Sequence, residues 1–77
     1  MNKARRKQIE TIVSKLCSIQ EDIDSIAQDE RDAFDNLPEG LQYSEKGEDM
    51  ETNADDLEQA SSDIEDIIDM LRDIVDK

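Results

Sequence analysis

Carboxylates are the most abundant groups in this sequence that could do chemistry. Of its 77 residues, 22 are Asp or Glu, nine are Lys or Arg, and none is His. Clustered carboxylates can bind a metal ion, but Asp22-x-Asp24 lacks the glycine and the downstream ligands of a calcium-binding EF-hand loop. A di-iron site in a helical bundle needs Glu-x-x-His, which a chain without histidine cannot supply. We therefore expect no metal site.

Nucleophilic catalysis has no better support. Cys17 is the only thiol, and there is no histidine to deprotonate it. No glycine-rich loop precedes a helix to hold phosphate groups. The run Glu48-Asp49-Met50-Glu51 lacks the spacing of the magnesium motif in all-α nucleotide pyrophosphohydrolases. We expect a protein without enzymatic activity or cofactor, in which Cys17 is a partly exposed structural residue rather than a reactive thiol.

The charge is unevenly distributed along the chain. Residues 1–20 contain five basic side chains and one acidic side chain, whereas residues 21–77 have a net charge of −17. So acidic a segment repels nucleic acids and anionic membranes, and it favours a basic partner. There is one cysteine, no readable secretion signal and no apolar run near the ~20 residues of a membrane span, so we expect a cytoplasmic protein.

A basic cluster at the start of the chain needs compensation, because positive charge at a helix N-terminus opposes the helix dipole. The cluster consists of Lys3, Arg5, Arg6 and Lys7. We expect its side chains to form ion pairs with acidic residues near the other end of the chain. Those residues are Asp66, Asp69, Asp73 and Asp76. The alternative is a phosphate-binding arm, which would give the chain a role in DNA binding.

Apolar residues in both halves of the chain follow the alternating three- and four-residue spacing of a coiled coil. In the first half the series is Ile9, Ile12, Leu16, Ile19, Ile23, Ile26, Glu30, Ala33 and Leu37. In the second half it is Met50, Ala54, Leu57, Ser61, Ile64, Ile68, Leu71 and Val75. Each half is therefore predicted to form one helix of about 30 residues.

The only proline, Pro38, marks a turn between the two helices, since it disfavours helical geometry in the residue before it. We predict a first helix over residues 3–36, a turn over 37–44 and a second helix over 45–76. Ser44 is the predicted N-cap of the second helix. The other candidate caps are Thr52 and Asn53.

The two apolar series also predict how the helices meet. If the chain folds back at Gly40, facing residues have numbers that sum to 80, and both series agree with this condition throughout. Ile12 would then face Ile68, and Ile19 would face Ser61. The predicted fold is an all-α, antiparallel two-helix hairpin that forms a single domain.

The apolar stripe on each helix is wider than one partner helix can cover. We therefore expect two hairpins to pair into an antiparallel four-helix bundle, which makes the protein a homodimer. The dimer interface is predicted from the apolar residues that flank the seam. Those residues are Val13, Ala27, Ala60, Ile67 and Ile74.

The tip of the hairpin is a second candidate binding site. Glu30 interrupts the apolar series, and we expect it to be solvated or paired with Arg31 or Lys46 of a neighbouring helix. Phe34 and Tyr43 are the only aromatic residues. They either close the end of the bundle or act as exposed anchors for a partner, together with Glu30.

The 17-residue segment 30–46 resembles a turn motif in short, acidic helical-hairpin proteins encoded by bacteriophages and prophages. The residues that carry the resemblance are Asp35-Asn36-Leu37-Pro38-Glu39, Leu41-Gln42 and Ser44-Glu45. Phe34 stands where tyrosine is common in that family, and Gly40 stands where asparagine is common. The resemblance implies a phage gene product in the bacterial cytoplasm, and it assigns no biochemical role.

Phage origin and acidity together lead to one functional expectation. The protein would inhibit a host defence protein that binds nucleic acid, such as a CRISPR nuclease or restriction enzyme, because carboxylates along a rigid helix can imitate phosphates. The residues expected to form this acidic surface are Asp55, Asp56, Asp63, Asp66, Asp69 and Asp73. The alternative is a self-assembling structural or adaptor protein in which acidity provides only solubility.

Overall fold

The computed structural model describes all residues from Met1 to Lys77 and consists of three helices. α1 spans Lys3–Asp35, the one-turn α2 spans Glu39–Gln42, and α3 spans Glu45–Asp76. α1 and α3 pack against each other as a rod whose Cα atoms extend over 58 × 15 × 13 Å. The all-α, hairpin-like fold is thus confirmed, while α2 was not predicted. None of the helices is both long enough and apolar enough to span a lipid bilayer.

Polar side chains cap the two long helices at their N-termini. The Asn2 side chain accepts a hydrogen bond of 2.8 Å from the backbone N–H of Arg5 at the start of α1. Ser44 does the same for α3, where its Oγ accepts from the Gly47 N–H at 3.3 Å. Each cap satisfies an N–H group that has no partner within the helix. Ser44 is therefore the cap that the sequence predicted.

The turn is held together by a second set of hydrogen bonds. α1 ends at Asp35, and Pro38 begins α2 by accepting from the N–H groups of Leu41 and Gln42. The Gln42 side chain then donates to the carbonyl oxygens of Phe34 and Leu37, both at 3.3 Å. The Phe34 carbonyl near the end of α1 also accepts a hydrogen bond from the Leu37 N–H at 3.1 Å, so the Gln42 side chain reinforces a turn that backbone hydrogen bonds already close. The turn therefore has a defined structure.

Buried and half-buried residues line the seam between α1 and α3 at alternating spacings of three and four. On α3 they include Met50, Ala54, Leu57, Ser61, Ile64, Ile68, Leu71 and Val75. On α1 they include Arg6, Ile9, Val13, Leu16, Gln20, Ile23, Ala27, Glu30 and Phe34. The α3 series is the predicted one, whereas the α1 series differs from the prediction at every second position.

The predicted seam positions Ile12, Ile19 and Ile26 are wrong. Their exposed fractions are 47%, 47% and 56%, whereas Val13, one residue after Ile12, is only 8% exposed. Apolar residues occur at three heptad positions along α1, although not in every heptad, so two series with the same spacing compete for the seam. The residues that the two series share are Ile9, Leu16, Ile23 and Glu30. Spacing alone could not distinguish the two.

Hydrogen bonds across the seam show how the helices are aligned. Gln20 Nε2 donates to the Ser61 carbonyl at 3.2 Å, and Asn53 Nδ2 donates to Glu30 Oε2 at 3.4 Å. The residue numbers of these pairs sum to 81 and 83. The middle of α2 lies between Gly40 and Leu41, which gives a sum of 81 and agrees with the Gln20–Ser61 pair. Ser61 therefore meets Gln20 instead of Ile19.

Candidate interaction surfaces

One side of the seam carries ionic contacts between α1 and α3, and we call it the ion-pair side. Arg31 Nη2 lies 2.8 Å from Asp55 Oδ1 and 3.1 Å from Glu58 Oε1. On the same side, Arg72 Nη2 lies 3.9 Å from the sulfur of the half-buried Cys17. The hydrogen bond to Asp55 and, to a smaller extent, the hydrogen bond to Glu58 raise the pKa of Arg31. These contacts hold the two helices together on this side.

A groove opens on the ion-pair side, at the end of the hairpin that contains both chain termini; we call this the open end. Glu10, Val13, Arg72, Val75 and Asp76 line it. Only the two valines are apolar, and neither carboxylate in the groove has a cationic partner within 4.0 Å. The groove thus lacks the enclosed apolar lining that small-molecule sites share.

The opposite side of the seam exposes aliphatic side chains, and we call it the isoleucine face. It consists of Ile12, Ile19 and Ile26 of α1 and Ala60, Ile67 and Ile74 of α3. Ala60 and Ile74 are half-buried, and the other four are exposed. Each of these residues immediately precedes a seam residue, and such positions from two antiparallel helices lie on the same side. The exposed fraction of Ile67 is 46%, close to that of the α1 isoleucines.

The isoleucine face contains only part of the predicted dimer interface. Val13 and Ala27 are buried in the seam of a single hairpin, so they are not available to a second copy. Ala60, Ile67 and Ile74 do lie on the isoleucine face. The sequence reasoning missed the three isoleucines of α1 because it assigned them to the seam. Ser61 gave no signal for the correct register, because Gln20 donates to its backbone carbonyl and not to its hydroxyl.

The basic cluster at the start of α1 does not form the predicted ion pairs. The only ion pairs in the hairpin are those of Arg31, so Lys3, Arg5, Arg6 and Lys7 have none. The acidic residues proposed as their partners, Asp66, Asp69, Asp73 and Asp76, are all exposed. Asp66, Asp69 and Asp73 lie at heptad positions on the outer surface of α3, facing away from α1, and Asp76 lines the groove at the open end without a cationic partner. The cluster is therefore left without compensation in the single chain.

The outer surface of α3 is strongly acidic. α3 contains 13 acidic and two basic residues, whereas α1 contains eight acidic and six basic residues. All six residues predicted for the acidic surface are exposed, and only Asp55 among them forms an ion pair. Those residues are Asp55, Asp56, Asp63, Asp66, Asp69 and Asp73. Almost the whole surface is thus free to attract a basic partner.

The three residues predicted for the tip lie in different environments. Glu30 is half-buried and accepts a hydrogen bond from Asn53, and within the single chain it forms no ion pair with Arg31 or Lys46. Phe34 is half-buried at the end of the seam. Tyr43, by contrast, is 77% exposed. The tip therefore offers Tyr43 rather than an aromatic pair to a partner.

These surfaces present carboxylates and aliphatic side chains to solvent. No group of three or more His, Cys, Asp or Glu side chains is arranged to hold a metal ion. We compared the chain with protein-family models, with curated proteins and with solved structures, and none of the three comparisons gave a match.

Proposed function

We propose that this protein is a non-enzymatic interaction protein of phage type, which acts in the bacterial cytoplasm on a nucleic-acid-binding protein of the host. Its acidic α3 surface would occupy the groove where that protein binds DNA or RNA. A host defence protein, such as a CRISPR nuclease or a restriction enzyme, is the proposed target. Homodimerisation into a four-helix bundle is part of this proposal.

One observation carries the proposal: 20 of the 22 carboxylates have no cationic partner within the chain. Bringing so many like charges together opposes folding, so unpaired acids on this scale do not help the hairpin itself. Their attraction for a basic groove would give fast and salt-sensitive association. The outer surface of α3 provides this charge on a rigid rod, which keeps the spacing between carboxylates constant.

The test begins with the immobilised protein in bacterial lysate at low and at high salt, with captured proteins identified by mass spectrometry. Each captured protein is then purified and its binding measured in competition with duplex DNA and with RNA. Charge mimicry predicts capture at low salt only, and displacement by nucleic acid. Capture that resists high salt, or binding that is unaffected by nucleic acid, would contradict it.

Matched charge variants make the test specific to α3. The α3 variant replaces Asp66, Asp69 and Asp73 by Asn, and the control variant replaces Glu21 by Gln and both Asp24 and Asp35 of α1 by Asn. Both variants change the net charge by the same amount, and none of the six side chains forms an intramolecular hydrogen bond. Only the α3 variant should lose affinity for the partner.

A structural or adaptor role is the second candidate, and the exposure of Tyr43 and Leu41 at the tip favours it. An aromatic anchor of this kind often dominates the free energy of a protein interface. The variant Tyr43→Ala separates the two functions. Loss of a salt-resistant partner in this variant would identify an adaptor, whereas charge mimicry predicts unchanged binding.

A further inference from the structure

We propose that the isoleucine face is covered by a second copy of this chain, packed so that the tip of each hairpin lies at the open end of the other. The inference rests on the self-association proposed above, and it adds the face, the orientation and the pairs that form the contact. It replaces Val13 and Ala27 of the predicted interface by Ile12, Ile19 and Ile26.

The shape of the face fits a second copy. Ile12, Ile19 and Ile26 recur every seven residues and therefore span about 21 Å along one straight stripe of α1. If two copies pack with opposite directions, Ile19 meets its own counterpart at the twofold axis, and Ile12 of each copy meets Ile26 of the other. The interface is then isologous, which is the arrangement of most homodimers.

The charges beside the stripe favour this orientation. Lys15, Asp22 and Asp29 occupy the heptad position that borders the isoleucine face on α1. With Ile19 at the twofold axis, Lys15 of each copy lies beside Asp22 of the other. None of these three side chains forms an ion pair or hydrogen bond within the single chain, so all are available for such contacts.

The ends of the hairpin lead to the same conclusion. The open end carries the unpaired basic cluster of Lys3, Arg5, Arg6 and Lys7, and Arg5 belongs to the same seven-residue series as the isoleucines. At the tip, Asp49 and Asp56 border the face on α3 and have no cationic partner. Packing with tips together would place these acids beside Asp22 and Asp29. Packing tip to open end brings the basic cluster near the acidic tip of the other copy.

The first experiment measures mass by sedimentation equilibrium for the full chain and for two variants. We expect a dimer for the parent chain and for Ser18→Asp, which adds one charge on the outer surface of α1. Ile19→Asp should raise the dissociation constant at least about 100-fold, because it buries two like charges at the twofold axis, while the helical circular dichroism remains. A monomeric parent chain, or a dimer that tolerates Ile19→Asp, would overturn the proposal.

Disulfide trapping tests the orientation, with Cys17→Ser as the background. Ile19→Cys should cross-link to itself, whereas Ile12→Cys alone should not, because its two copies lie about 21 Å apart and a disulfide needs Cα atoms within about 7 Å. A mixture of the Ile12→Cys and Ile26→Cys chains should cross-link. Efficient trapping in a mixture of Ile12→Cys and Ile67→Cys chains would instead show α1 against α3 of the other copy, and would contradict the orientation.

A charge exchange provides an independent check. Lys15→Glu should weaken the dimer, and adding Asp22→Lys in the same chain should restore it, since the pair is reversed but kept. Failure of the double variant to recover would count against the proposed contact. These results do not depend on the acidic surface of α3, so the dimer and charge mimicry can fail separately.

Discussion

Arg31 of α1 joins two carboxylates of α3, with its Nη2 2.8 Å from Asp55 Oδ1 and 3.1 Å from Glu58 Oε1. Asp55 and Glu58 lie three residues apart on one helix, where like charges repel. The guanidinium neutralises part of this repulsion and also ties α3 to α1. Arg31 therefore reduces the repulsion among carboxylates at one point along the seam.

Replacing Arg31 by Gln should destabilise the hairpin most at low ionic strength. The urea midpoint should fall relative to the parent chain, because the carboxylates of Asp55 and Glu58 lose their only cation. At 1 M salt, where the screening length is only about 3 Å, the difference should largely disappear. The measurement is urea unfolding followed by circular dichroism at a fixed protein concentration.

The control for this prediction is Arg5→Gln, which removes the same charge from a side chain that forms no ion pair. It should leave the midpoint almost unchanged if the chain is kept dilute enough to be monomeric. Equal effects of Arg5→Gln and Arg31→Gln would show that net charge alone, and not the contact with α3, accounts for the result.

Gly47 should be far less tolerant of substitution than Gly40. A Cβ atom on Gly47 would collide with the carbonyl oxygens of Gln42 and Leu41, which are backbone atoms and cannot move independently of the turn. A Cβ on Gly40 would meet nothing within 4 Å. We expect Gly47→Ala to cost about 1–3 kcal/mol by overpacking, and Gly40→Ala to be neutral or stabilising by about 0.5–1 kcal/mol.

Urea unfolding of both variants checks this prediction, with the free energy of unfolding compared to that of the parent chain. Both substitutions add the same methyl group to a helix, so the difference between them isolates the contact with α2. A Gly47→Ala chain as stable as Gly40→Ala would mean that the turn does not pack against the first turn of α3 as described.

Two adjacent residues test the register of α1. Val13 is buried in the seam, whereas Ile12 is half exposed on the isoleucine face. Val13→Asp should cost about 3 kcal/mol or more, because it places an unpaired charge between the helices. Ile12→Asp should leave most of the helical circular dichroism intact in dilute solution. The opposite ranking would restore the register in which Ile12 lies in the seam.

The same pair shows what could and could not be predicted from the sequence. The α3 seam was predicted correctly, because its two flanks differ: one carries Glu51, Glu58 and Glu65, and only the other is apolar. On α1 the isoleucines at 12, 19 and 26 compete with Val13 and Ala27, and the more apolar series is the exposed one. Apolar spacing alone does not show which of the two series is buried.

Local chemistry was more informative at the turn. Pro38 was recognisable as the end of one helix because proline disfavours helical geometry in the residue before it. Ser44 was recognisable as the cap of the next helix because its side chain can accept from a free backbone N–H group. The hydrogen bonds from Gln42 to Phe34 and Leu37 were not predictable, since they depend on α2. The position of the basic cluster was predictable. Its lack of ion pairs was not, because most of the proposed acidic partners lie on the outer surface of α3 rather than beside α1.

Added salt should stabilise this hairpin, although its ion pairs become weaker. The net charge is −13, and the two ion pairs involve only one cation. Repulsion among the remaining carboxylates therefore outweighs the attraction at Arg31, and screening reduces the larger effect by the greater amount. We expect the thermal midpoint to rise as NaCl increases from about 0.01 M, where the screening length is about 30 Å, to about 1 M.

The α3 variant with Asp66, Asp69 and Asp73 replaced by Asn should begin from a higher midpoint at low salt and gain less from NaCl. Sucrose, which strengthens burial without screening charge, serves as the control and should raise the midpoints of both chains equally. A midpoint that falls with NaCl would show that favourable pairing dominates, which would also remove the argument that the α3 carboxylates are free for a basic partner.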